Sequence, residues 1–588
     1  MVIPFSLTIV FTIAGLLLAL LLAWAAWRHR NPSSAGNAQQ EEPQKEQGST
    51  AANPWLRGMR AVFVLLLIAA FGFHSYWIFK ADSTDEFARS KRLDARNRRL
   101  ADSGLKGWVL DRSGKIENAL VRYRNDGGVI TRDYPLREAA AHLTGYSDFM
   151  FGSGGIEYAF REWLTEPAGL LNRALSPAPV GKDFTTSIDA TLQKEVFDLL
   201  DRTGKAAAAV VLLLPNNEVL ALASTPSFDP RAAADEKSWR NLIERADKAQ
   251  HISPLVNRSL GTMVGGGPSF YYRPGSTFKV FTAAVAIDSA MTGEIFTCRP
   301  GGFQPPASGR PIGDYAGSVH GSIGLADAFK HSCNQYFAQL ALKIGRMRLA
   351  DYARRLHFEV DPEAGGRIEI PWQVSHANAK DFDFIFGPPE QRLNLSSDAT
   401  PFDVSLQGLG QGYNDVSVLQ MALLASAVAG TDGAYVAPSL ETGGERKVAG
   451  QFITPESAAK LRELMKLVVQ SGTAASAFAS IDKGLTAGGK TGTADREVPL
   501  YDRQGNPVTW VDENGKKHTR RVGVTDSWFI GFAPADNPRI AYAVMVEGGG
   551  AGGHVAAPIA VKLIEKAAQL GYMRNDKSAA PDVRAQRR

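Results

Sequence analysis

The sequence predicts an α+β protein, and three observations carry that prediction. Ala207–Leu214 is an unbroken apolar run closed by Pro215-Asn216-Asn217, and Val219–Ala223 follows as the second arm of a hairpin. Late in the chain, Asp526–Pro534 and Ile540–Glu547 read as two more core strands, with Ala556–Leu570 as a closing helix. Between these ends, Pro274-Gly275 is a turn signal. It runs straight into a helix whose body (Val280, Phe281, Ala283, Ala284, Val285, Ile287) is hydrophobic nearly all round, as a core helix is.

At 588 residues the chain is too long for one compact domain, so two or three are expected. A net charge of +5 is small for this size, and no basic stripe with interleaved aromatics is present, which argues against nucleic acid as a partner. Two cysteines, Cys298 and Cys333, cannot build a disulfide framework or a zinc site on this reading, and no chelating cluster is visible among the ten histidines. Two buried thiols are the expected state, and pairing with each other outside the cytoplasm is the alternative.

Ile3–Trp27 contains no charged residue and is long enough to cross a bilayer; Arg28-His29-Arg30 stops it. It is too long for a signal peptide and lacks the basic start, so residues 1–30 read as a retained transmembrane helix. Residues 31–58, rich in Gln, Glu, Ser and Pro, read as a polar linker. Residues 59–80 hold a second apolar stretch, Ala61–Phe79, with Trp77 as an interfacial anchor and His74 near the interface. The charges do not orient the spans. Arg28, Arg30, Lys45, Arg57 and Arg60 favour a cytoplasmic loop, while the basic run Arg89–Arg99 after the second span argues the other way.

From Gly107 the pattern changes, and the residues up to 183 read as a separate extracellular segment before the main domain. Trp108–Leu110 is a short strand before a turn. Arg132-Asp133-Tyr134-Pro135, Leu143–Tyr146 and Gly154-Gly155-Ile156-Glu157 follow, with a helix over Tyr158–Leu164. A main domain then runs over 184–573, and the charged, Ala-rich residues 574–588 read as a disordered tail. Glu497–Val522 is a polar insertion with turn signals at Gly505-Asn506 and Asn514-Gly515, read as a protruding hairpin or loop.

The chemistry concentrates in three short motifs. Ser276 opens the apolar helix and Lys279 lies three residues on, so both side chains share one face. A serine hydroxyl needs a base, and an ammonium among apolar groups tends to lose its proton, which fits Lys279 for that task. The bland reading is a cap followed by a snorkelling lysine, and Ser-x-x-Lys also occurs at Ser103, Ser457 and Ser480. Ser332-Cys333-Asn334 precedes a helix-periodic segment, Tyr336, Phe337, Leu340, Ala341, Ile344, and Lys490-Thr491-Gly492 follows Gly488-Gly489.

The order Ser-x-x-Lys, Ser-x-Asn, Lys-Thr-Gly resembles that of penicillin-binding proteins. The segments Arg132-x-Tyr134-Pro135 and Gly155-x-Glu157 are similar to the non-catalytic pedestal of class B members, so the resemblance implies a β-rich pedestal domain over residues 81–183; the strand pair closed by Pro226–Pro230 and Asn257-Arg258 are also similar to class B members. So are Gly410-Gln411-Gly412 and Leu419–Ala422. The glycosyltransferase of class A members has no room in the roughly 100 residues between anchor and main domain.

The resemblance implies a serine β-lactamase/penicillin-binding transpeptidase fold, in which an antiparallel sheet is flanked by helices and joined by a helical subdomain. It further implies a monofunctional peptidoglycan D,D-transpeptidase of the kind that serves cell division or cell shape. Such an enzyme is anchored in the inner membrane, faces the periplasm and pairs with a multi-span glycan polymerase. Class B members usually have one span, and two are read here.

Under that resemblance Ser276, Lys279, Ser332 and Lys490 are the catalytic residues, and Asn334, Thr491, Gly492 and Thr493 bind substrate. The substrate is a stem peptide ending in D-Ala-D-Ala, β-lactams are covalent inhibitors, and no metal or organic cofactor is needed. The backbone N–H groups of Ser276 and Thr493 form the oxyanion hole. Gly488, Gly489 and Gly492 leave the sheet edge open for a peptide. The alternatives are a β-lactamase or D,D-carboxypeptidase, and a non-catalytic β-lactam-binding scaffold or sensor. Glu390-x-x-Leu393-Asn394 superficially matches a β-lactamase pattern whose glutamate activates water.

Overall fold

The computed structural model describes residues 105–574 except 127–128, 149, 167–180, 249–252, 266–269, 362–368, 389–390, 501 and 503–505, together with helical residues between 63 and 75. The first apolar segment, the polar linker, His74, Trp77, the basic run 89–99, Glu390 and the tail beyond Arg574 lie outside the described residues. The chain divides into two compact units, 1–88 and 89–588. In the first, the described helical residues Phe63, Leu67, Ile68, Phe71 and Phe73 are all exposed. Among the described residues no helix is long and apolar enough to cross a membrane.

The second unit is built on a five-stranded antiparallel sheet. Its strands in chain order are β1 (Ala207–Leu213), β2 (Glu218–Thr225), β3 (Gly488–Pro499), β4 (Arg521–Ala533) and β5 (Ile540–Val546). They lie side by side as β3-β4-β5-β1-β2, so the two hairpins read at opposite ends of the chain meet at β5 and β1. Every residue of β2 and β5 is buried, which is why these strands read as continuous apolar runs rather than alternating ones.

Helices cover the sheet. They are α1 (Ala190–Asp201), α2 (Lys279–Asp288), α3 (Leu325–His331), α4 (Asn334–Ile344), α5 (Pro401–Gly408), α6 (Val418–Ala429), α7 (Pro455–Ser471) and α8 (Ala556–Gln569). Capping marks several starts: Asp189 accepts from Leu192 N, Ser417 from Gln420 N, and Thr400 forms a capping box with Asp403. All twelve residues of α6 are buried, against the sheet on one side and α7 on another. In α2 only Asp288 escapes burial. That surround shuts Lys279 off from bulk solvent.

One sequence expectation is extended and two change. The polar insertion is a hairpin of Thr509–Val511 with Lys517–Thr519, but β3 and β4 run on as a paired ribbon out to Pro499 and Arg521. The pedestal segment from 105 is mixed rather than β-rich, because short strands alternate with the short helices Ala141–Thr144, Gly155–Ala159 and Arg161–Thr165. The single helix expected over Tyr158–Leu164 is two, broken at Phe160, which leaves the helical region. Burial explains the pedestal's polar signature. Glu157 is fully buried and takes Arg132 Nε at 2.7 Å and Lys106 Nζ at 3.4 Å. Burial pushes the Glu157 carboxyl up, and these two cations more than reverse that, leaving it low.

Close backbone approach fixes the turn that carries Ser276. Gly275 (φ +54) donates its N–H to Gly410 O at 3.0 Å, and a Cβ on Gly410 (φ +80) would lie 2.0 Å from Gly275 O. Gly410→Ala is therefore expected to cost about 2–4 kcal/mol, from left-handed strain plus overpacking. A thermal melt of the full chain checks it. A variant as stable as the parent would show that this contact does not hold the turn.

Candidate active site

The site lies where the turn before α2, the turn between α3 and α4, and strand β3 converge. Gly275–Phe278 is a 3₁₀ turn that continues into α2. Ser276 thus sits in the tight turn, not at the α-helix start that the sequence suggests. In 3₁₀ geometry residues three apart eclipse, which stacks Ser276 over Lys279. Lys279 Nζ lies 3.0 Å from Ser276 Oγ. It also reaches Ser332 O at 2.7 Å, Asn334 Oδ1 at 2.6 Å and Ser332 Oγ at 3.2 Å.

Ser332 reaches the site because it ends α3 in the left-handed region, at φ 61° and ψ 38°. The chain reverses there, Cys333 becomes the N-cap of α4, and Asn334 begins it. Such a conformation in a non-glycine residue marks a position held by its surroundings. Lys490, on β3, donates to Ser332 Oγ at 2.9 Å and to Thr491 O at 3.1 Å. Ser332 Oγ therefore stands between the two lysines. The structure brings together Ser276, Lys279, Ser332, Asn334 and Lys490, which are up to 214 residues apart in sequence.

Both lysines are fully buried, with opposite consequences for proton count than on a surface. Burial lowers Lys279 to about 7, against a smaller upward pull from the Asp314 carboxylate. Burial also holds Lys490 well below its ordinary value, and the positive charge of Lys279 adds to that. A neutral Lys279 amine has two N–H donors and one lone pair. Ser332 O and Asn334 Oδ1 accept both donors, which leaves the lone pair for the Ser276 hydroxyl.

On β3, strand alternation puts Thr491, Thr493 and Asp495 on one face and Lys490, Gly492 and Ala494 on the other. Gly492 permits contact with the Ser276 turn: a Cβ there would meet Thr277 Cγ2 at 2.8 Å and Pro274 O at 2.9 Å. Gly488 and Gly489 have a different reason from the open edge expected of them. Their missing side chains make room for the rings of Phe532 and Phe529.

Sequence reasoning missed three contributors. Thr473, at the end of α7, places its hydroxyl 2.5 Å from Thr491 Oγ1, so two hydroxyls form one small polar cradle. Asp314 binds the Asn334 N–H, takes Gln335 Nε2 at 3.1 Å and is the carboxylate whose charge acts on Lys279. His320 lies beside it, with Nδ1 3.8 Å from Asp314 Oδ2. None belongs to a motif, and each comes from a loop or helix end with no periodic signal.

The cysteines also differ from expectation. Cys298 and Cys333 are joined in a disulfide rather than standing as two buried thiols. Their sulfurs, Asp314 and His320 form one cluster whose donor atoms all lie within 4.8 Å of one another. Once reduced, two thiolates, an imidazole and a carboxylate are the donor types of a zinc site, so these four residues could hold a metal. The sequence concealed this because Asp314 and His320 come from a Gly-rich loop without chelating spacing.

Comparison with known proteins points one way. The family model described as penicillin binding protein transpeptidase domain matches residues 207–565. The chain is 28% identical to peptidoglycan D,D-transpeptidase PbpA of Mycobacterium tuberculosis over 544 residues, covering 87% of this chain and 97% of that protein. It is 28% identical to peptidoglycan D,D-transpeptidase MrdA of Haemophilus influenzae over 442 residues, 71% of this chain and 61% of that one. The crystal structure of PBPA from M. tuberculosis superposes with a TM-score of 0.62 at 25% identity, covering 79% of this chain and 100% of that one. The imipenem acyl-enzyme complex of penicillin-binding protein A from M. tuberculosis gives 0.62 at 26% identity, covering 80% and 100%.

Proposed function

We propose that this chain, which belongs to the penicillin-binding protein transpeptidase family, performs its acyl transfer through Ser276. It is a peptidoglycan D,D-transpeptidase that cross-links stem peptides through an acyl-enzyme formed on D-Ala-D-Ala, and β-lactams inhibit it covalently. One observation carries the assignment of Ser276: its Oγ lies 3.0 Å from a buried lysine whose other hydrogen-bonding capacity is taken up.

In the proposed sequence Lys279 takes the Ser276 proton as Oγ attacks the penultimate carbonyl. The Ser276 N–H, in the first turn where a backbone donor has no helical partner, and the Thr493 N–H receive the oxyanion. A donor of that kind is typically worth about 3–4 kcal/mol. The proton passes by Ser332 Oγ, 3.2 Å from Lys279 Nζ, to the departing D-alanine amine. Lys490, 2.9 Å from the same oxygen, keeps that hydroxyl oriented and replenished. Asn334 hydrogen-bonds the donor peptide, and Thr491, Gly492 and Thr493 hold its terminal carboxylate against the Thr473 hydroxyl. An amine of a second stem peptide then attacks the acyl-enzyme, forming the new amide and freeing Ser276.

The substrate lies outside the cytoplasmic membrane, so the unit from residue 89 is assigned to the periplasmic side of the inner membrane. The exposed apolar residues between Phe63 and Phe73 support a lipid-facing anchor there. A multi-span glycan polymerase is the proposed membrane partner. Capture of cross-linked membrane proteins with no such polymerase among them would count against it.

The full chain in detergent, treated with a fluorescent penicillin, tests the reading. An adduct that persists for many minutes is expected of a transpeptidase. An adduct that forms and clears within seconds would replace it with a β-lactamase, and absence of label on folded protein would leave a scaffold.

A further inference from the structure

The two N–H groups assigned to the oxyanion come from segments far apart in sequence. Ser276 belongs to the turn before α2, and Thr493 to strand β3. Glycines let these segments touch: a Cβ on Gly275 would lie 2.5 Å from Thr493 O, and one on Gly492 2.9 Å from Pro274 O. Contact of this kind sets a closest approach. It does not set the alignment of the two donors, which needs directional bonds to both segments.

Glu547, the residue after β5, makes such bonds to both. Its Oε1 accepts the Tyr272 hydroxyl at 3.0 Å, and Tyr272 lies just upstream of the Ser276 turn. Its Oε2 accepts Arg496 Nη2 at 2.7 Å, and Arg496 lies just beyond Thr493 on β3. Alternation puts Arg496 on the same face of β3 as Gly492 and Ala494, the face turned toward the Ser276 turn. Glu547 is itself fixed to the sheet, because its N–H donates to Ala206 O at 2.8 Å.

The surroundings make these bonds strict. Glu547 Oε1 also takes Arg258 Nε at 2.8 Å, and Arg496 Nε donates to Asp526. Two guanidinium groups thus meet two carboxylates, with Arg258 and Asp526 fully buried and the Glu547 side chain nearly so. Burial raises the Tyr272 hydroxyl well above its ordinary value and the Glu547 charge adds to that, so the phenol keeps its proton and donates. A buried ion network is seldom more stabilising than apolar side chains of the same volume. What its short, charge-assisted bonds add is fixed geometry.

We propose that Glu547 is a positioning residue for acyl transfer: by holding Tyr272 on one side and Arg496 on the other, it sets the Ser276 and Thr493 N–H groups in the alignment the oxyanion needs. It acts through those two segments and not on the substrate. The inference rests on the transpeptidase reading above, in which those N–H groups receive the oxyanion.

The test uses the full chain in detergent with two variants, Glu547→Gln and Tyr272→Phe. The second removes one hydroxyl and leaves both arginines paired, so the proposal stays testable if the first does not fold. For each, kcat and KM are measured with a synthetic donor ending in D-Ala-D-Ala. Isotope-edited infrared then records the ester carbonyl of the benzylpenicillin acyl-enzyme.

Glu547→Gln is expected to lower kcat by about 100-fold, the effect of a misplacement near ~1 Å, and Tyr272→Phe by about 10-fold. KM should stay within about twofold, because oxyanion donors act on the transition state. In both variants the carbonyl band is expected at higher wavenumber, since weaker hydrogen bonds polarise that bond less.

An unmoved band in folded variants overturns the proposal. So does a loss of kcat that only matches the unfolded fraction, or a rise in KM at constant kcat. A wild type that forms no ester adduct on Ser276 is a different failure, which removes the reading on which the inference stands.

Discussion

Ser276→Ala is expected to leave no covalent label from a fluorescent penicillin and to lower acyl transfer by on the order of 10⁴- to 10⁶-fold, as removal of a nucleophile does elsewhere. The fold should not notice. Lys279 Nζ keeps its contacts with Ser332 O, Ser332 Oγ and Asn334 Oδ1 when the Ser276 hydroxyl is gone, so no buried donor is orphaned. A melting temperature near that of the parent, beside a lost label, separates chemistry from unfolding. A label that survives on another residue would remove Ser276 from the mechanism. Gel fluorescence followed by mass mapping of the labelled peptide decides between them.

Lys279→Ala is expected to slow acylation by about 10²- to 10⁴-fold, the usual yield of a general base. The pH profile is the sharper measurement. Only the neutral amine can take the Ser276 proton, and burial holds Lys279 at about 7. As pH rises the neutral fraction grows, so kcat/KM for acylation should climb nearly tenfold per pH unit below 7 and level off above it. Asp314→Asn removes the carboxylate that pulls Lys279 upward, and should move the climb to lower pH. A rate that keeps rising toward pH 10, where an ordinary lysine titrates, would show that Lys279 is not desolvated in solution. A rate flat from pH 5 to 8 would mean that some other group accepts the proton.

Much of this protein was legible because its signals are local. The strand pair at 207–225, the helix after Ser276 and the C-terminal strands each announce themselves by an apolar run bounded by turn residues, and they appear within a few residues of their expected bounds. The three motifs marked Ser276, Lys279, Ser332, Asn334 and Lys490, since residue type and order survive in a sequence. The structure then places these five side chains within hydrogen-bonding reach of one another through Lys279 and Ser332.

What only the tertiary structure decided is everything that depends on meeting across the chain. The 3₁₀ turn at Gly275–Phe278 is packed between β3 and Gly410, neighbours that its own residues do not announce. Thr473 meets Thr491 because α7 packs on β3, and Asp314 and His320 meet the two cysteines because a loop folds back over α4. Propensity and periodicity report how a segment buries its own surface. Which distant polar groups then share a site is set by packing between segments, and a single sequence carries no record of that pairing.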